Sequence, residues 1–197
     1  MLNVINIVLQ QVQDVVDWHQ ELVVPTDPLP VKYVRENHYW NFRLWHEEDI
    51  ARIKNADPVR IMNAKRNIDQ FNQHRNNCIE SIDEWVLDYL NEKGISAGNR
   101  LHSETPGMMI DRLSIMALKS YHMQEEAARE SADQKHRDKC GKMADLLSEQ
   151  MADLKYCLIE VINKLQNGEL KFKIYRQLKM YNDPDLNPQL YRKDANS

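Results

Sequence analysis

The chain has 197 residues and a formal net charge of -4, with only 5 glycines, 7 prolines and 3 cysteines. This length can supply the core of one domain without disulfides or metals to hold it. The acidic balance argues against the global positive field of a nucleic-acid-binding protein. The scarcity of turn residues and the lack of alternating apolar runs favour an all-α protein.

The cysteines and the N-terminus predict a cytoplasmic protein. Cys78, Cys140 and Cys157 are odd in number and far apart, which is typical of a reducing compartment. The first six residues lack the basic stretch that begins a signal peptide. No apolar run approaches the roughly 20 residues of a spanning helix, so no membrane span is predicted.

The first two helices are predicted over residues 3–23 and 37–55. The first has apolar residues at helical spacing: Val4, Ile5, Val8, Val12, Val15, Val16 and Leu22. Three prolines then predict an extended linker: Pro25, Pro28 and Pro30. On the second helix four residues share one face: Phe42, His46, Asp49 and Ile53. Arg52 lies one turn after Glu48, a spacing that suits an ion pair.

A long third helix is predicted over residues 57–91, with Asp57 as its N-cap and proline at its first position. One face forms an apolar seam: Ile61, Ala64, Ile68, Phe71, Cys78, Ile82, Trp85 and Tyr89. Arg75 falls within this seam, where an apolar residue is expected. A parallel polar line includes Asp69.

The fourth helix is predicted to lie at the centre of the bundle. Residues 94–104 form a polar loop, and Thr105 then caps a helix that begins at Pro106. The helix is apolar over much of its circumference, yet it carries four ionisable side chains: Asp111, Arg112, Lys119 and His122. Such a helix is expected to be buried, and its charges then need partners.

A fifth helix is predicted to begin at Ser131 or Asp133 and to end at Gly168. A short sixth helix over residues 170–181 would have a basic outer face. Its mixture of lysines and aromatic residues also suits RNA, but an amphipathic helix is the commoner explanation. Residues 186–191 are expected to pack back as extended chain. The sequence therefore predicts one all-α domain over residues 1–197, a single helical bundle of about five to six helices with an extended C-terminal tail.

Several runs resemble a bacterial family known only as domain of unknown function 4254. The similar residues are Trp45-His46, Glu48-Asp49-Ile50 and Arg52; Lys65-Arg66, Ile68-Asp69, Asn72-Gln73, Arg75, Glu80 and Ile82-Asp83; Glu104 and Pro106; Ile110 to Ile115, Ala117-Leu118-Lys119 and Tyr121-His122-Met123; and Tyr175-Arg176-Gln177, Lys179 to Asp183, Leu186-Asn187-Pro188 and Leu190-Tyr191. The resemblance implies a soluble, all-helical bacterial protein. Members are often encoded near glycosyltransferases of surface glycans. The resemblance implies no activity, catalytic residue or cofactor.

The leading hypothesis is a polar pocket between the second, third and fourth helices that binds an anionic small molecule. Arginine suits phosphate and carboxylate because its planar fork makes two parallel hydrogen bonds. The expected cationic ligands are Arg52, Arg75, Arg112 and Lys119. Carboxylates and imidazoles complete the candidate set: Asp49, Asp69, Asp111, His46 and His122. Alternatively, Arg75 pairs with Asp111 or Asp49 as a structural ion pair.

A metal site is not predicted, although two motifs resemble parts of known metal sites. Di-iron bundles use Glu-x-x-His on two helices with two further glutamates. His46-x-x-Asp49 and His122-x-x-Glu125 have the reverse order, and supporting glutamates are not evident. His46 is instead expected to be buried and hydrogen-bonded to a carboxylate. Glu80-x-x-Asp83 supplies half of a magnesium motif of helical hydrolases, but a solvated face explains it better.

The sequence therefore leaves three alternative functions as expectations. The first is a binding protein, or an enzyme, for an anionic metabolite such as a nucleotide sugar or a surface-glycan precursor. The second is a non-catalytic interaction module that partners a glycosyltransferase. The third is a metal-dependent hydrolase. Long helices with broad apolar faces also suggest a homodimer.

Overall fold

The computed structural model describes residues 1–178 and 185–188. These contain five helices: α1 (Val4–Gln20), α2 (Val31–Ala51), α3 (Pro58–Glu92), α4 (Pro106–Ala128) and α5 (Gln134–Gln166). Two short strands accompany them, β1 (Arg100–Leu101) and β2 (Leu170–Lys171). The predicted all-α bundle is confirmed. In the part of the chain described, no helix combines the length and apolarity needed to cross a bilayer.

The predicted helix starts on α3, α4 and α5 are confirmed by their caps. The side chains of Asp57, Thr105 and Asp133 each accept a hydrogen bond from a backbone N–H of the first turn, at 3.0, 3.2 and 2.8 Å. The predicted start of α2 is wrong, because the helix begins at Val31, directly after Pro30. Proline restricts the residue before it, and it is well tolerated at a helix start.

The predicted sixth helix is wrong for residues 170–178. Gly168 has a φ of +69° and ends α5, and β2 then pairs in parallel with β1. The carbonyl oxygens of Leu170 and Lys171 accept hydrogen bonds from the N–H groups of Gly98 and His102, at 3.2 and 2.9 Å. These long-range bonds replace the helical ones. The rest of that helix, residues 179–181, and the second half of the predicted tail, residues 189–191, lie outside the described residues.

The predicted central position of α4 is confirmed, because α4 contacts each of α1, α2, α3 and α5. Its Ile110 and Leu113 are completely buried in an apolar cluster shared with α3 and α5. A second apolar cluster joins α1, α2 and α4 around Trp18 and Phe42. Five polar residues of α2 and α4 are also buried: Asn37, His38, Asn41, Asp111 and Ser114.

Candidate functional site

A cavity of about 380 Å³ lies between α2, α3 and α4, the three helices for which the sequence predicts a pocket. Apolar side chains from α2 and α4 line part of it: Leu44, Ile115 and Leu118. Four charged residues from α2, its C-cap and α3 line the rest, together with Trp45, Asn41 and Asn72: Glu48, Asp49, Arg52 and Arg75. Its volume lies in the range of small-molecule sites, roughly 300–1,000 Å³.

Arg75 is the most enclosed cation of this cavity. Its side chain is 27% exposed, and its Nε lies 3.3 Å from Oδ1 of Asp111, so the predicted ion pair with Asp111 is present. The Nη1 group donates to Oδ1 of Asn72 at 3.4 Å. Nε itself is buried and has no hydrogen bond of good geometry to any described residue. The guanidinium therefore retains unused donor capacity.

A buried hydrogen-bond network fixes Asp111. Its Oδ1 accepts from the side-chain amides of Asn37 and Asn41, at 3.0 and 2.9 Å. Asn41 also donates to the hydroxyl of Ser114 at 2.9 Å, and that hydroxyl lies 2.7 Å from Nδ1 of His38. Burial lowers the pKa of His38 to about 4, so its imidazole is neutral at neutral pH. The hydrogen bonds from Asn37 and Asn41 therefore fix the orientation of the Asp111 carboxylate, which faces Arg75.

The predicted convergence of four cations is wrong. Arg52 lines the same cavity as Arg75 and pairs with Glu48, as its spacing predicts. Arg112 and Lys119 instead line a separate groove of about 740 Å³ between α4 and α5. The reason is helical geometry, since these two residues lie on the side of α4 that faces α5.

The remaining candidate carboxylates differ in position. Asp69 is exposed on α3 and is not among the described residues that line either cavity. Glu104 pairs with Arg112, and both side chains line the groove between α4 and α5. Of the predicted acids, only Asp49 lines the first cavity itself, while Asp111 contacts it through Arg75.

Three histidines from three helices meet beside this cavity: His19 of α1, His46 of α2 and His122 of α4. One ring nitrogen from each lies within 4.8 Å of the other two. The predicted carboxylate partner of His46 is replaced by two imidazoles, at ring-centroid distances of 5.0 and 5.8 Å. Nε2 of His46 is buried without a hydrogen-bond partner in the described residues.

Aromatic neighbours set the orientation of the histidine rings. His122 stacks on Trp45 with centroids 4.7 Å apart and planes 8° apart. His19 stacks on Tyr121 at 4.4 Å and 18°. Trp45 also lines the cavity, so one indole ring separates the cavity from the histidine cluster. Burial, together with the neighbouring imidazoles, lowers the pKa of His46, and burial lowers the pKa of His122.

The half-motif Glu80-x-x-Asp83 does not form the predicted solvated face. Glu80 accepts a hydrogen bond from Arg176 at 2.7 Å and another from the N–H of Gln177 at 2.9 Å. Asp83 is buried and accepts from the N–H of Gly107, at the start of α4, at 2.7 Å. The two acids face different neighbours and do not form a pair of magnesium ligands.

His19 and the network amides were not among the predicted site residues. No local motif joins His19 to His46 or His122, since each belongs to a different helix. The available signal was weak: His19 follows the buried Val15 by one turn of α1, but is itself exposed. Asn37 and Asn41 gave a similar signal, two amides one turn apart on α2.

Comparison with known proteins places the chain in a family without naming an activity. The model of the family described as "Protein of unknown function (DUF4254)" matches residues 31–174, which include α2 to β2. No curated protein matches the chain, and neither does any solved structure. The chain belongs to the DUF4254 family of proteins of unknown function.

Proposed function

We propose that the protein binds an anionic, hydroxyl-bearing metabolite in the cavity between α2, α3 and α4. A nucleotide sugar or another surface-glycan precursor has this chemistry. The observation that carries the proposal is Arg75, whose buried Nε faces Asp111 at 3.3 Å yet makes no well-formed hydrogen bond in the described residues. A buried N–H without an acceptor is unfavourable, and a phosphate or carboxylate oxygen would satisfy it.

The other cavity residues suit the same class of ligand. Arg52 is 69% exposed, so it can leave Glu48 to meet a second anionic oxygen. Asp49 can accept hydrogen bonds from sugar hydroxyls, and the amides of Asn41 and Asn72 can both donate and accept. Trp45 adds an aromatic surface, on which a sugar or a base can pack. No residue is assigned a catalytic role.

The proposed setting is the bacterial cytoplasm. Within the described chain all three cysteines are free: Cys78 and Cys140 are buried, whereas Cys157 is exposed. Free cysteines are typical of a reducing compartment. Nucleotide sugars are soluble, so a protein that binds them needs no contact with a membrane.

Calorimetric titration tests the proposal with sugar phosphates, nucleoside diphosphate sugars and inorganic phosphate. We expect at least one of them to bind, and Arg75→Met to weaken that binding by at least tenfold. Arg112→Met is the matched control, because it removes a guanidinium from the groove between α4 and α5. Equal affinity of the Arg75→Met variant would contradict the proposal. So would the absence of binding across the panel in a folded sample.

A second candidate function is a non-catalytic partner of a glycosyltransferase. One stripe of α1 supports it, because four apolar side chains there are between 38% and 65% exposed: Ile5, Leu9, Val12 and Val16. Such a stripe is the usual contact of an amphipathic helix with another protein. In this case the buried polar network would serve only to specify packing.

Co-purification with a neighbour-encoded glycosyltransferase, as the family resemblance implies, distinguishes the two functions. A partner that is retained by the wild type and lost with Leu9→Glu would support the interaction module. Lys142→Glu, on the outside of α5, is a control for the added negative charge. A partner bound equally by both variants would contradict a contact through α1. Sedimentation of the purified protein measures its mass in solution and so tests whether it forms a homodimer.

A further inference from the structure

The histidine cluster has the composition of a transition-metal site. His19, His46 and His122 converge from α1, α2 and α4, and one nitrogen of each lies within 4.8 Å of the others. We propose that these three imidazoles bind one divalent transition-metal ion, such as Zn²⁺ or Co²⁺. This inference goes beyond the proposed function, because the histidines bind the metal whether or not the adjoining cavity binds a metabolite.

The hydrogen bonds of two rings direct their lone pairs to Nε2. Nδ1 of His19 lies 2.6 Å from the carbonyl oxygen of Val15, and Nδ1 of His122 lies 2.9 Å from Oε2 of Glu125. Both partners are acceptors only, so each Nδ1 carries the hydrogen and each neutral ring has its lone pair on Nε2. Nε2 of His122 is buried and has no hydrogen-bond partner in residues 1–178 and 185–188.

His46 contributes a second unsatisfied nitrogen. Its Nε2 is also buried and lacks a partner in the described chain. Buried polar atoms are normally hydrogen-bonded, and each exception calls for an explanation. Two such nitrogens at the meeting point of three imidazoles are explained by an ion that accepts both lone pairs.

The surroundings supply the second shell that metal-bound histidines normally have. Such a histidine usually donates its other N–H to a carboxylate or a backbone carbonyl, which orients the ring and makes it a stronger ligand. Glu125 fills this role for His122, and Val15 fills it for His19. Stacking on Trp45 and Tyr121 holds the two rings in place before a metal arrives.

The local charge also suits a cation. Two carboxylates act on the cluster: Asp49 and Glu125 both interact electrostatically with His46 and His122. A divalent ion would therefore meet three imidazole ligands with two carboxylates nearby.

The distances allow closure around one ion. Ligand nitrogens of a tetrahedral zinc site lie about 3.3 Å apart, given Zn–N bonds of about 2.0–2.1 Å. Nitrogens within 4.8 Å of one another thus need to approach by no more than about 1.5 Å. Imidazole ligands suit zinc, cobalt, nickel, copper and iron. Three protein ligands leave a coordination position open, as in catalytic zinc sites.

The competing interpretation is an aromatic cluster in which the three histidines only pack with Trp45, Tyr121 and Phe42. A second location must also be distinguished. Nε2 of His136 lies 2.8 Å from Oε2 of Glu126 and 3.4 Å from Sγ of Cys140. These side chains can attract zinc as well, so the experiment must identify which histidines respond.

The first test uses the wild-type chain, stripped of metal by a chelator and labelled with ¹⁵N. Zn²⁺ is titrated while the ring nitrogens of the 7 histidines are followed by NMR. We expect saturation at one equivalent, with large shifts of Nε2 in His19, His46 and His122. No ring shift, or shifts confined to His136, would overturn the proposal.

The second test measures affinity with Co²⁺, whose visible absorption reports tetrahedral coordination. We expect His46→Gln and His122→Gln to abolish the absorption band, and His136→Gln to leave it unchanged. Glu125→Gln keeps all three imidazoles and is expected to weaken binding about 10–100-fold. Circular dichroism checks that each variant folds. If the histidine variants do not fold, the Glu125→Gln variant tests the proposal instead. An unchanged Co²⁺ affinity of this variant would contradict the proposed second shell.

Discussion

The backbone N–H of Gly107 donates a 2.7 Å hydrogen bond to Oδ1 of Asp83, which joins the first turn of α4 to the side of α3. A Cβ atom at position 107 would lie 2.5 Å from the carbonyl oxygen of Ile79 and 2.9 Å from that same Oδ1. Only glycine therefore allows the two helices to approach so closely. This contact helps to set the position of α4, which carries both Asp111 and His122.

Gly107→Ala is expected to destabilise the protein by about 1–3 kcal/mol, since the added methyl group overpacks a buried contact. Gly141→Ala is the matched control within α5, because the structure has nothing within 4 Å of a Cβ there in the described residues. It is expected to stabilise by about 0.5–1 kcal/mol. Urea denaturation measures both. A Gly107→Ala variant as stable as the wild type would contradict the close contact.

The raised pKa of the buried Asp83 carboxyl group is expected to make the stability of the protein depend on pH. Burial raises its pKa from 3.8 to about 6, although Thr105 and the N–H of Gly107 hydrogen-bond to its charged form. Between pH 4 and pH 6 the folded state keeps a proton that the unfolded state has released. The stabilisation that this proton provides is therefore present below about pH 4 and is lost as the pH rises through about 6.

Asp83→Asn isolates this effect. The unfolding free energy of the wild type, minus that of the variant, is expected to fall by roughly 2–3 kcal/mol between pH 4 and pH 7, at 1.36 kcal/mol per pKa unit. Chemical denaturation at a series of pH values measures the difference. A difference that stays flat, or that rises with pH, would show that Asp83 is charged in the folded protein.

Asp111→Asn tests whether the buried acid stabilises the fold. The change leaves Arg75 without its anion and alters the amide network, so we expect a loss of about 1–3 kcal/mol. Asp69→Asn is the control, because Asp69 is exposed on α3 and its replacement should stay within about 0.5 kcal/mol. Thermal unfolding compares them. An Asp111→Asn variant that melts at or above the wild type would indicate a charge kept for ligand binding.

Gly98→Ala tests the strand pair that replaces the predicted sixth helix. A Cβ at this buried glycine would collide with the backbone carbonyl of Glu169, just before β2. Backbone cannot move aside as a flexible side chain can, so a loss of about 1–3 kcal/mol is expected. Hydrogen exchange at His102, whose N–H is bonded to Lys171, should also accelerate. Unchanged protection would contradict the pairing.

The sequence determined the local structure through signals that act within a few residues. Asp57, Thr105 and Asp133 were identifiable as N-caps because a capping side chain bonds to its own helix. The apolar seam of α3 was equally visible, because helical periodicity places its members on one face. The mixed character of α4 was enough to predict its central position.

Which helix faces meet depends on the packing of the whole chain. The seven-residue spacing of Arg112 and Lys119 puts them on one side of α4, but nothing local states that this side faces α5. The strand pair of β1 and β2 depends on hydrogen bonds between segments far apart in the chain, which outweigh a helical pattern. The convergence of His19, His46 and His122 has the same cause. It is produced by the packing of three helices, and no spacing within any one of them encodes it.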